Sequence, residues 1–228
     1  TRMRETIESC GGTIYFNTPI TDIKIESGQL KGVYWGEDQF YAGTTLILAT
    51  GHSARDVFKM MHQKALAIEF KPFALGVRVE HPQSLIDQLQ YNQSPRHPLL
   101  PASSYALSCQ VGGKGVFSFC MCPGGLVVPS STAPGEIVEN GMSLSRRDSA
   151  YANAGTVVTI DEHDLGASLA QTPLAGLDFQ AQVEHAMFNA GDGSQKAPAQ
   201  RLIDFLAGQE SSSLPKSSYI PGLVSAPV

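Results

Sequence analysis

The sequence lacks any apolar run that approaches the roughly 20 residues a membrane-spanning helix needs. It also shows no secretion signal, because the first residues, TRMRETIES, are not a basic start followed by an apolar stretch. Charged residues are few, at 16% of the 228 residues, and the formal net charge is −5. The adjacent cations Arg146-Arg147 are too little for a nucleic-acid surface. We therefore expect no membrane span and no nucleic-acid partner.

Several catalytic signatures are missing as well. The chain contains no P-loop, no H-E-x-x-H and no Ser-His-Asp spacing, so kinase, metalloprotease and hydrolase activities have no support. Its four cysteines do not suggest a dense disulfide framework, which predicts reduced thiols in a cytoplasmic protein. Cys120 and Cys122 form a Cys-x-Cys pair without a second pair of ligands nearby, so we predict no metal site.

What is present is the composition of a globular protein, with 42% hydrophobic residues. Met3, Ile7 and Cys10 share one face of a predicted N-terminal helix, and Gly11 follows as its C-terminal cap. Because the chain starts inside this helix, we expect it to be an internal piece of a longer protein. The run TIYFNT, residues 13–18, predicts a strand after the helix, as in half of a βαβ unit.

A meander of three predicted strands follows, linked by tight turns. Its strands are DIKIES, QLKGVYWG and QFYAGTTLILATG. The last run is apolar almost throughout, which predicts a strand that is buried on both faces and ends at residues 49–51.

From Ser53 onward, helices and strands alternate. Strands are predicted for GVRVEHP, YALSCQV, GVFSFCM and TVVTID. Helices are predicted over residues 53–64, after Pro82, after Thr172-Pro173, and from Pro198 to Gly208. The residues after 209 are rich in serine and proline, which is typical of a linker.

The end of the last meander strand is the first candidate site. Ligands of α/β proteins bind beyond the carboxyl ends of parallel strands, and glycine lets the backbone pass close to them. Ala49, Thr50 and Gly51 occupy such a position, although an ordinary strand-to-helix turn explains the glycine equally well. His52 either faces a ligand or is structural, and Ser53 is a suitable N-cap for the next helix.

A meander that runs into a strand closing on Ala-Thr-Gly resembles the second half of the FAD-binding domain in glutathione-reductase-like flavoproteins. Five further segments are similar to the NAD(FAD)-utilising dehydrogenases, a largely uncharacterised family of FAD-dependent proteins. These segments are GHSARD, KPFALGVRVEHPQ, FSFCMCPGGLVV, ENGMSLSRRDSAYANAG and PLAGLDFQ. The resemblance extends from about Thr1 to the region of Arg201, and FCMCPGG is its most specific part.

The resemblance implies a cytoplasmic FAD-dependent oxidoreductase, a dehydrogenase with a small-molecule substrate. FAD is the implied cofactor, and NADH or NADPH is a candidate electron donor. Residues 49–53 are implied to line the FAD. A turn and a later arginine are implied to approach the flavin ring or the substrate: Pro123, Gly124, Gly125 and Arg146.

The predicted fold is α/β to α+β in three parts. Residues 1–52 form a partial, Rossmann-like FAD-binding lobe, and residues 53–209 form an inserted lobe with a mixed or antiparallel sheet and flanking helices. Residues 210–228 form a linker back toward the FAD domain. The G-x-G-x-x-G fingerprint is missing, so the resemblance implies an internal fragment of such a flavoprotein. The alternative is a non-catalytic substrate-binding or scaffold lobe that does not hold FAD by itself.

Two further groups of residues are chemical candidates. In a regular strand Cys120 and Cys122 point to the same face, where they are either a redox-active pair or two small buried residues. Arg78 and Glu80 also share a face, and the arginine needs Glu80, a substrate anion or a phosphate as its partner. Arg146 either binds an anionic group or belongs to a solvated turn.

Overall fold

The computed structural model describes the backbone of residues 1–228 and every side chain except those of residues 169 and 170. It divides into two compact units, unit 1 (Thr1–Leu66) and unit 2 (Ala67–Val228). Helices and mainly antiparallel sheets occur together, which confirms the predicted α+β class.

Seven helices and eleven strands follow one another along the described chain. The helices are α1 (Arg2–Ser9), α2 (Arg55–Gln63), α3 (Gln83–Tyr91), α4 (Glu162–Leu165), α5 (Ala167–Gln171), α6 (Ala175–Ala190) and α7 (Leu202–Leu206). The strands are β1 (Ile20–Glu26), β2 (Gln29–Trp35), β3 (Gln39–Ala42), β4 (Phe73–Pro82), β5 (Ser108–Val111), β6 (Lys114–Cys122), β7 (Gly125–Pro129), β8 (Glu139–Ser143), β9 (Tyr151–Ile160), β10 (Ala197–Ala199) and β11 (Leu223–Ser225).

Unit 1 contains the predicted meander, an antiparallel sheet in the order β1-β2-β3. Ser27 and Gly28 join its first two strands with φ angles of 50° and 73°. A two-residue hairpin turn with positive φ at both positions matches the twist of the flanking strands, so the local sequence is enough to define this hairpin. The core of the unit is small, since among its described side chains Ile23 is the one fully buried hydrophobic residue.

Two strands predicted for unit 1 are wrong. Residues 13–18 do not form a strand, and β3 ends at Ala42 instead of continuing to Gly51. The apolar side chains beyond β3 are exposed, with Ile47 at 85% and Leu48 at 47% relative accessibility. A strand requires a hydrogen-bonded neighbour, and within the described backbone residues 44–51 pair with no other strand.

Unit 2 is built on an antiparallel sheet in the order β4-β9-β6-β5. Its longest ladder pairs β4 with β9 over ten residues, from Phe73↔Ile160 to Pro82↔Tyr151. Alternation places Phe73 and Leu75 on the face that packs against the α4–α6 region, in a core with Ile160. The opposite face carries Arg78 and is covered by the β7–β8 hairpin.

The C-terminal residues belong to unit 2 instead of forming the expected linker. Tyr219 is 4% exposed and packs in a second core with Val127, and β11 forms a parallel pair with β10. Because Pro198 lies within β10, the helix predicted from that proline begins only at Leu202. The two units meet after Leu66 in sequence, whereas the sequence pattern placed a boundary after residue 52.

Candidate functional site

The residues predicted to line FAD lie in the exposed segment of unit 1. All five residues from 49 to 53 are solvent-exposed, and a Cβ added to Gly51, whose φ is +76°, meets no atom within 4 Å. The expectation that Ser53 caps the next helix is wrong, because the N-cap of α2 is Ala54 and no side chain bonds to it.

This segment fits a flavin only in part. A dinucleotide pyrophosphate binds to backbone amides at a glycine-rich turn before a helix, where the helix dipole favours negative charge. Gly51 supplies one such flexible position, but Asp56 places a carboxylate in the first turn of α2. At this segment, Gly51 therefore favours a bound pyrophosphate, whereas the charge of Asp56 opposes one.

Cys120 and Cys122 do not have the regular strand geometry expected for them. A β-bulge interrupts the pairing of β6 with β9 between Phe119 and Cys122, and Cys120 in this bulge has a φ of 47°. The bulge breaks the two-residue alternation, so Cys120 is exposed whereas Cys122 is buried. The expectation that both thiols point to one face is therefore wrong.

The turn after Cys122 is buried and held by other parts of unit 2. The Gly124 amide donates to Gln83 Oε1 at 2.6 Å, and the Ser149 amide donates to the Gly124 carbonyl at 3.3 Å. A Cβ on Gly124 would overlap the Arg147 carbonyl, and its φ is +53°. The close approach that requires glycine here is thus to the chain's own backbone. Neighbouring Arg146 is exposed.

A buried polar network fixes Gln83 behind this turn. Its Nε2 atom donates to Asp87 Oδ1 at 2.8 Å, and the amide and hydroxyl of Ser103 donate to the same oxygen, both at 2.9 Å. Arg96 pairs with the other Asp87 oxygen. Burial by itself would raise the pKa of Asp87, but the hydrogen bonds from Ser103, Arg96 and Gln83 outweigh it and lower that pKa.

A second polar group, which we call the Arg78 cluster, lies under the β7–β8 hairpin. Its members are Arg78, Glu80, Cys122, Glu139, Asn153, Ser218 and Tyr219. The Arg78 guanidinium donates to Asn153 Oδ1 at 2.8 Å. Asn153 is completely buried, and its Nδ2 and Arg78 Nε have no hydrogen-bond partner among the described residues. The cluster therefore offers donor capacity that the protein itself does not use.

Glycine at position 141 gives this cluster its space. An added Cβ would lie 2.5 Å from Asn153 Oδ1, 2.6 Å from an Arg78 nitrogen and 2.7 Å from Cys122 Sγ. Glu139 lies two residues earlier on the same face of β8. Burial raises the pKa of Glu139 to about 7, an effect that Arg78 opposes and Glu80 reinforces.

The other carboxylate of the cluster holds the C-terminal segment. Glu80 accepts hydrogen bonds from the Ser218 amide, at 3.2 and 3.3 Å, and from the Ser218 hydroxyl. The same hydroxyl oxygen accepts from the Val127 amide at 2.8 Å. Tyr219 donates to the Gln195 carbonyl at 2.8 Å, and burial, with the nearby Glu139, raises its pKa to about 12.

Sequence reasoning found only part of this cluster. It identified Arg78 and Glu80 as facing one side of β4, and the structure confirms this, although the hydrogen bond of Arg78 goes to Asn153. Glu139 and Ser218 were missed, because they lie 59 and 138 residues from Glu80 in sequence. Their only local signal is a polar residue in an otherwise strand-like or serine-rich segment.

Chemically, the cluster combines one guanidinium with two carboxyl groups, and burial raises the pKa of one of these, Glu139. Among the described residues, no three His, Cys, Asp or Glu side chains lie close enough together to hold a metal ion.

The described helices include none that is both long and apolar enough to cross a membrane.

Most of unit 2 is similar to a known family. Residues 72–228 match the family described as "FAD-dependent protein, C-terminal domain-like". The chain is also 39% identical over 214 residues to an uncharacterized protein of Clostridium beijerinckii, an alignment that covers 93% of this chain and 39% of that protein. It thus spans well under half the length of this relative. Because the family match covers more than half of the chain, the protein belongs to the FAD-dependent proteins of the C-terminal domain-like family.

Proposed function

We propose that this chain is part of an FAD-dependent oxidoreductase, a cytoplasmic dehydrogenase, whose unit 2 binds a small-molecule substrate. The observation that carries the proposal is the family match, which begins at residue 72 and continues to the end of unit 2. Flavin, when bound, supplies hydride chemistry, and NADH or NADPH is the proposed electron donor. The chain's own residues supply binding and orientation.

Residues 49–53 are proposed to lie along the cofactor. This segment is exposed, and Gly51 has open space where a side chain would start, so a flat ligand can approach the backbone. The Pro123–Gly125 turn is proposed to support the substrate region from behind, because its glycines are buried against Arg147 and Met142. Arg146 is exposed and offers a guanidinium to an anionic substrate.

The second candidate function is a substrate-binding or scaffold lobe that does not hold FAD by itself. Two observations favour it: residues 49–53 are exposed in unit 1, and Asp56 adds negative charge at the helix where a pyrophosphate would bind. The two candidates make opposite predictions about the purified chain.

The test is flavin binding by this chain. The protein is incubated with excess FAD, desalted and examined by absorption spectroscopy, and the affinity is measured by quenching of FAD fluorescence. Retained flavin bands support the oxidoreductase, and anaerobic reduction by NADH or NADPH then identifies the donor. A colourless protein contradicts cofactor binding by this chain and supports the scaffold function.

A matched pair of variants locates the site. Gly51→Asp adds a carboxylate to the proposed FAD segment, whereas Gly28→Asp adds one to the β1–β2 turn. Both glycines have positive φ, 76° and 73°, and open space around the added Cβ. We expect FAD affinity to fall at least about tenfold for Gly51→Asp, through like-charge repulsion with the pyrophosphate, and to stay unchanged for Gly28→Asp. Equal affinities for the two variants would place the flavin elsewhere.

A further inference from the structure

Helix α7 presents apolar side chains to solvent. Its outward residues, which we call the α7 face, have relative accessibilities between 47% and 77%: Leu202, Ile203, Phe205 and Leu206. A helix on the surface of a folded unit normally turns its apolar stripe inward and its polar residues outward. Here the polarity is reversed, because Asp204 is the residue of the helix whose side chain bonds to the rest of unit 2.

Polar contacts hold the helix in this orientation. The Ser211 hydroxyl donates to Asp204 Oδ2 at 2.7 Å and accepts from the Arg201 amide at 2.8 Å, and Ser211 is 5% exposed. The Gln209 amide donates to the Asp204 carbonyl at 2.9 Å just after the helix ends. The inner side of α7 is thus occupied by hydrogen bonds, and the α7 face is held away from unit 2.

The two strands linked to this helix form only a small sheet. Strand β10 precedes α7 and pairs in parallel with β11 over three residues. Ala197 of β10 and Leu223 of β11 pack in the core of unit 2, and Ser225 of β11 donates to the Ser211 carbonyl at 2.6 Å. Parallel sheets are normally covered on both faces, and an isolated pair of strands is marginal in water. We therefore expect further polypeptide to pack in this region.

The size of the α7 face decides between a second copy of the chain and an attached segment. A stable interface between separate chains uses about 20–30 residues a side, whereas the α7 face has four. A segment of the same polypeptide binds at a high effective concentration, so a small apolar contact is sufficient for it. The relative from Clostridium beijerinckii has such polypeptide, because the alignment covers 93% of this chain but only 39% of that protein.

We propose that α7 is a docking helix. In the full-length protein, the α7 face packs against an apolar, uncharged segment of the same polypeptide that lies outside the residues of this chain. This inference rests on the proposal that the chain is part of a longer protein. It does not depend on flavin binding, so a colourless chain in the FAD experiment leaves it in place.

The test uses the full-length Clostridium beijerinckii protein. The photoreactive amino acid p-benzoylphenylalanine replaces the residue that aligns with Phe205, and mass spectrometry identifies the peptide that is cross-linked on irradiation. We expect an intramolecular cross-link to a peptide outside the 214 aligned residues. A cross-link between two copies, a cross-link confined to the aligned residues, or no cross-link overturns the proposal.

The matched control places the same photoreactive amino acid at the position that aligns with Leu99. Leu99 is 87% exposed, but it lies in a turn after α3, and single exposed apolar residues are normal on protein surfaces. We expect no cross-link from this position to a peptide outside the aligned residues. If both positions react with the same outside peptide, the contact is not specific for the α7 face and the proposal is overturned.

Two variants of the present chain test the outward orientation of α7. We expect Phe205→Ser to keep the melting temperature within about 2 °C of the wild type, because an exposed side chain away from special features contributes little to stability. Asp204→Ala removes the acceptor of the Ser211 hydroxyl, and we expect a melting temperature lower by about 2–4 °C. A larger decrease for Phe205→Ser than for Asp204→Ala would mean that Phe205 packs within this chain, and it would refute the docking face.

Discussion

Replacing Gly141 with alanine tests how tightly the β7–β8 hairpin covers the Arg78 cluster. The added methyl group would lie 2.5–2.7 Å from Asn153 Oδ1, an Arg78 nitrogen and Cys122 Sγ. Favourable contacts between non-bonded heavy atoms occur at about 3.5–4.0 Å, so each neighbour has to move by about 1 Å. Asn153 has no room to do so, because it is completely buried between strands.

The expected cost combines two unfavourable terms and one favourable term. Overpacking a well-filled interior costs about 1–3 kcal/mol. Displacing Asn153 from Arg78 adds about 1–2 kcal/mol for a weakened hydrogen bond to a charged group. The lower conformational entropy of the unfolded alanine variant offsets about 0.4–1 kcal/mol of this cost. The net destabilisation of unit 2 is therefore about 2–3 kcal/mol, or a fall in melting temperature of about 5–10 °C for a domain of this size.

Gly115→Ala is the matched control. Its added Cβ meets only Gln110 Nε2, at 3.6 Å, which is an ordinary contact on β6. We expect this variant to be as stable as the wild type or more stable by up to about 1 kcal/mol. Calorimetry and far-ultraviolet circular dichroism follow the unfolding of the whole chain, and the fluorescence of Trp35, the single tryptophan, identifies the transition of unit 1. Equal melting temperatures for the two alanine variants would refute the close packing at Gly141.

Two further predictions concern buried side chains of unit 2. Asp87→Asn replaces a carboxylate oxygen, which accepts from Arg96, with an amide. We expect urea unfolding at pH 7 to show a free energy of unfolding lower by about 2 kcal/mol. Because the folded state lowers the pKa of Asp87, the stability that the ionised carboxylate contributes is present above about pH 4 and is lost as the pH falls below that value. The variant should lack this part of the decrease in stability at acid pH. The same decrease in the variant and the wild type would contradict the prediction. In native protein, maleimide should modify Cys120 readily and Cys122 only after denaturation, as mapped by peptide mass spectrometry; equal rates would contradict the bulge that separates them.

Local sequence signals were sufficient where the structure depends on neighbours in sequence. The Ser27-Gly28 turn between β1 and β2 adopts positive φ at both positions, and the strands on either side form as predicted. Helix α3 begins directly after Pro82, where the fixed φ of proline favours a helix start. In these cases the turn residue and the alternation of the strands carry the whole signal.

Patterns were misleading where the outcome depends on a distant partner. The run from Thr44 to Gly51 has the composition of a buried strand, but a ladder needs a neighbouring strand that local composition cannot reveal. In the tail, serine suggested a solvated linker, whereas the hydroxyls of Ser211 and Ser218 bond to Asp204 and Glu80. Polar composition therefore did not distinguish a linker from a segment held by polar contacts.

In the candidate site, too, the sequence revealed local features but not the contacts between residues that are distant in sequence. The Cys-x-Cys pair was visible in the sequence, but its geometry was not, because a bulge at Cys120 has no sequence signature comparable to a glycine turn. Arg78 was recognisable as a charged residue in an apolar strand that needs a partner. Its partner Asn153 lies 75 residues away and could only be found from the register of β4 and β9.

The two units differ in how much of their stability they can supply internally. Unit 2 has two hydrophobic cores and two buried polar networks, whereas unit 1 buries only Ile23 fully among its described hydrophobic side chains and exposes Ile47 and Leu48. A segment of 66 residues with so small a core is marginal by itself. Any ligand or chain segment that covers residues 44–51 would stabilise unit 1 by mass action, since it binds the folded form alone. Residues 49–51, which the proposed function assigns to the cofactor, belong to this exposed run, so cofactor binding there would also stabilise unit 1.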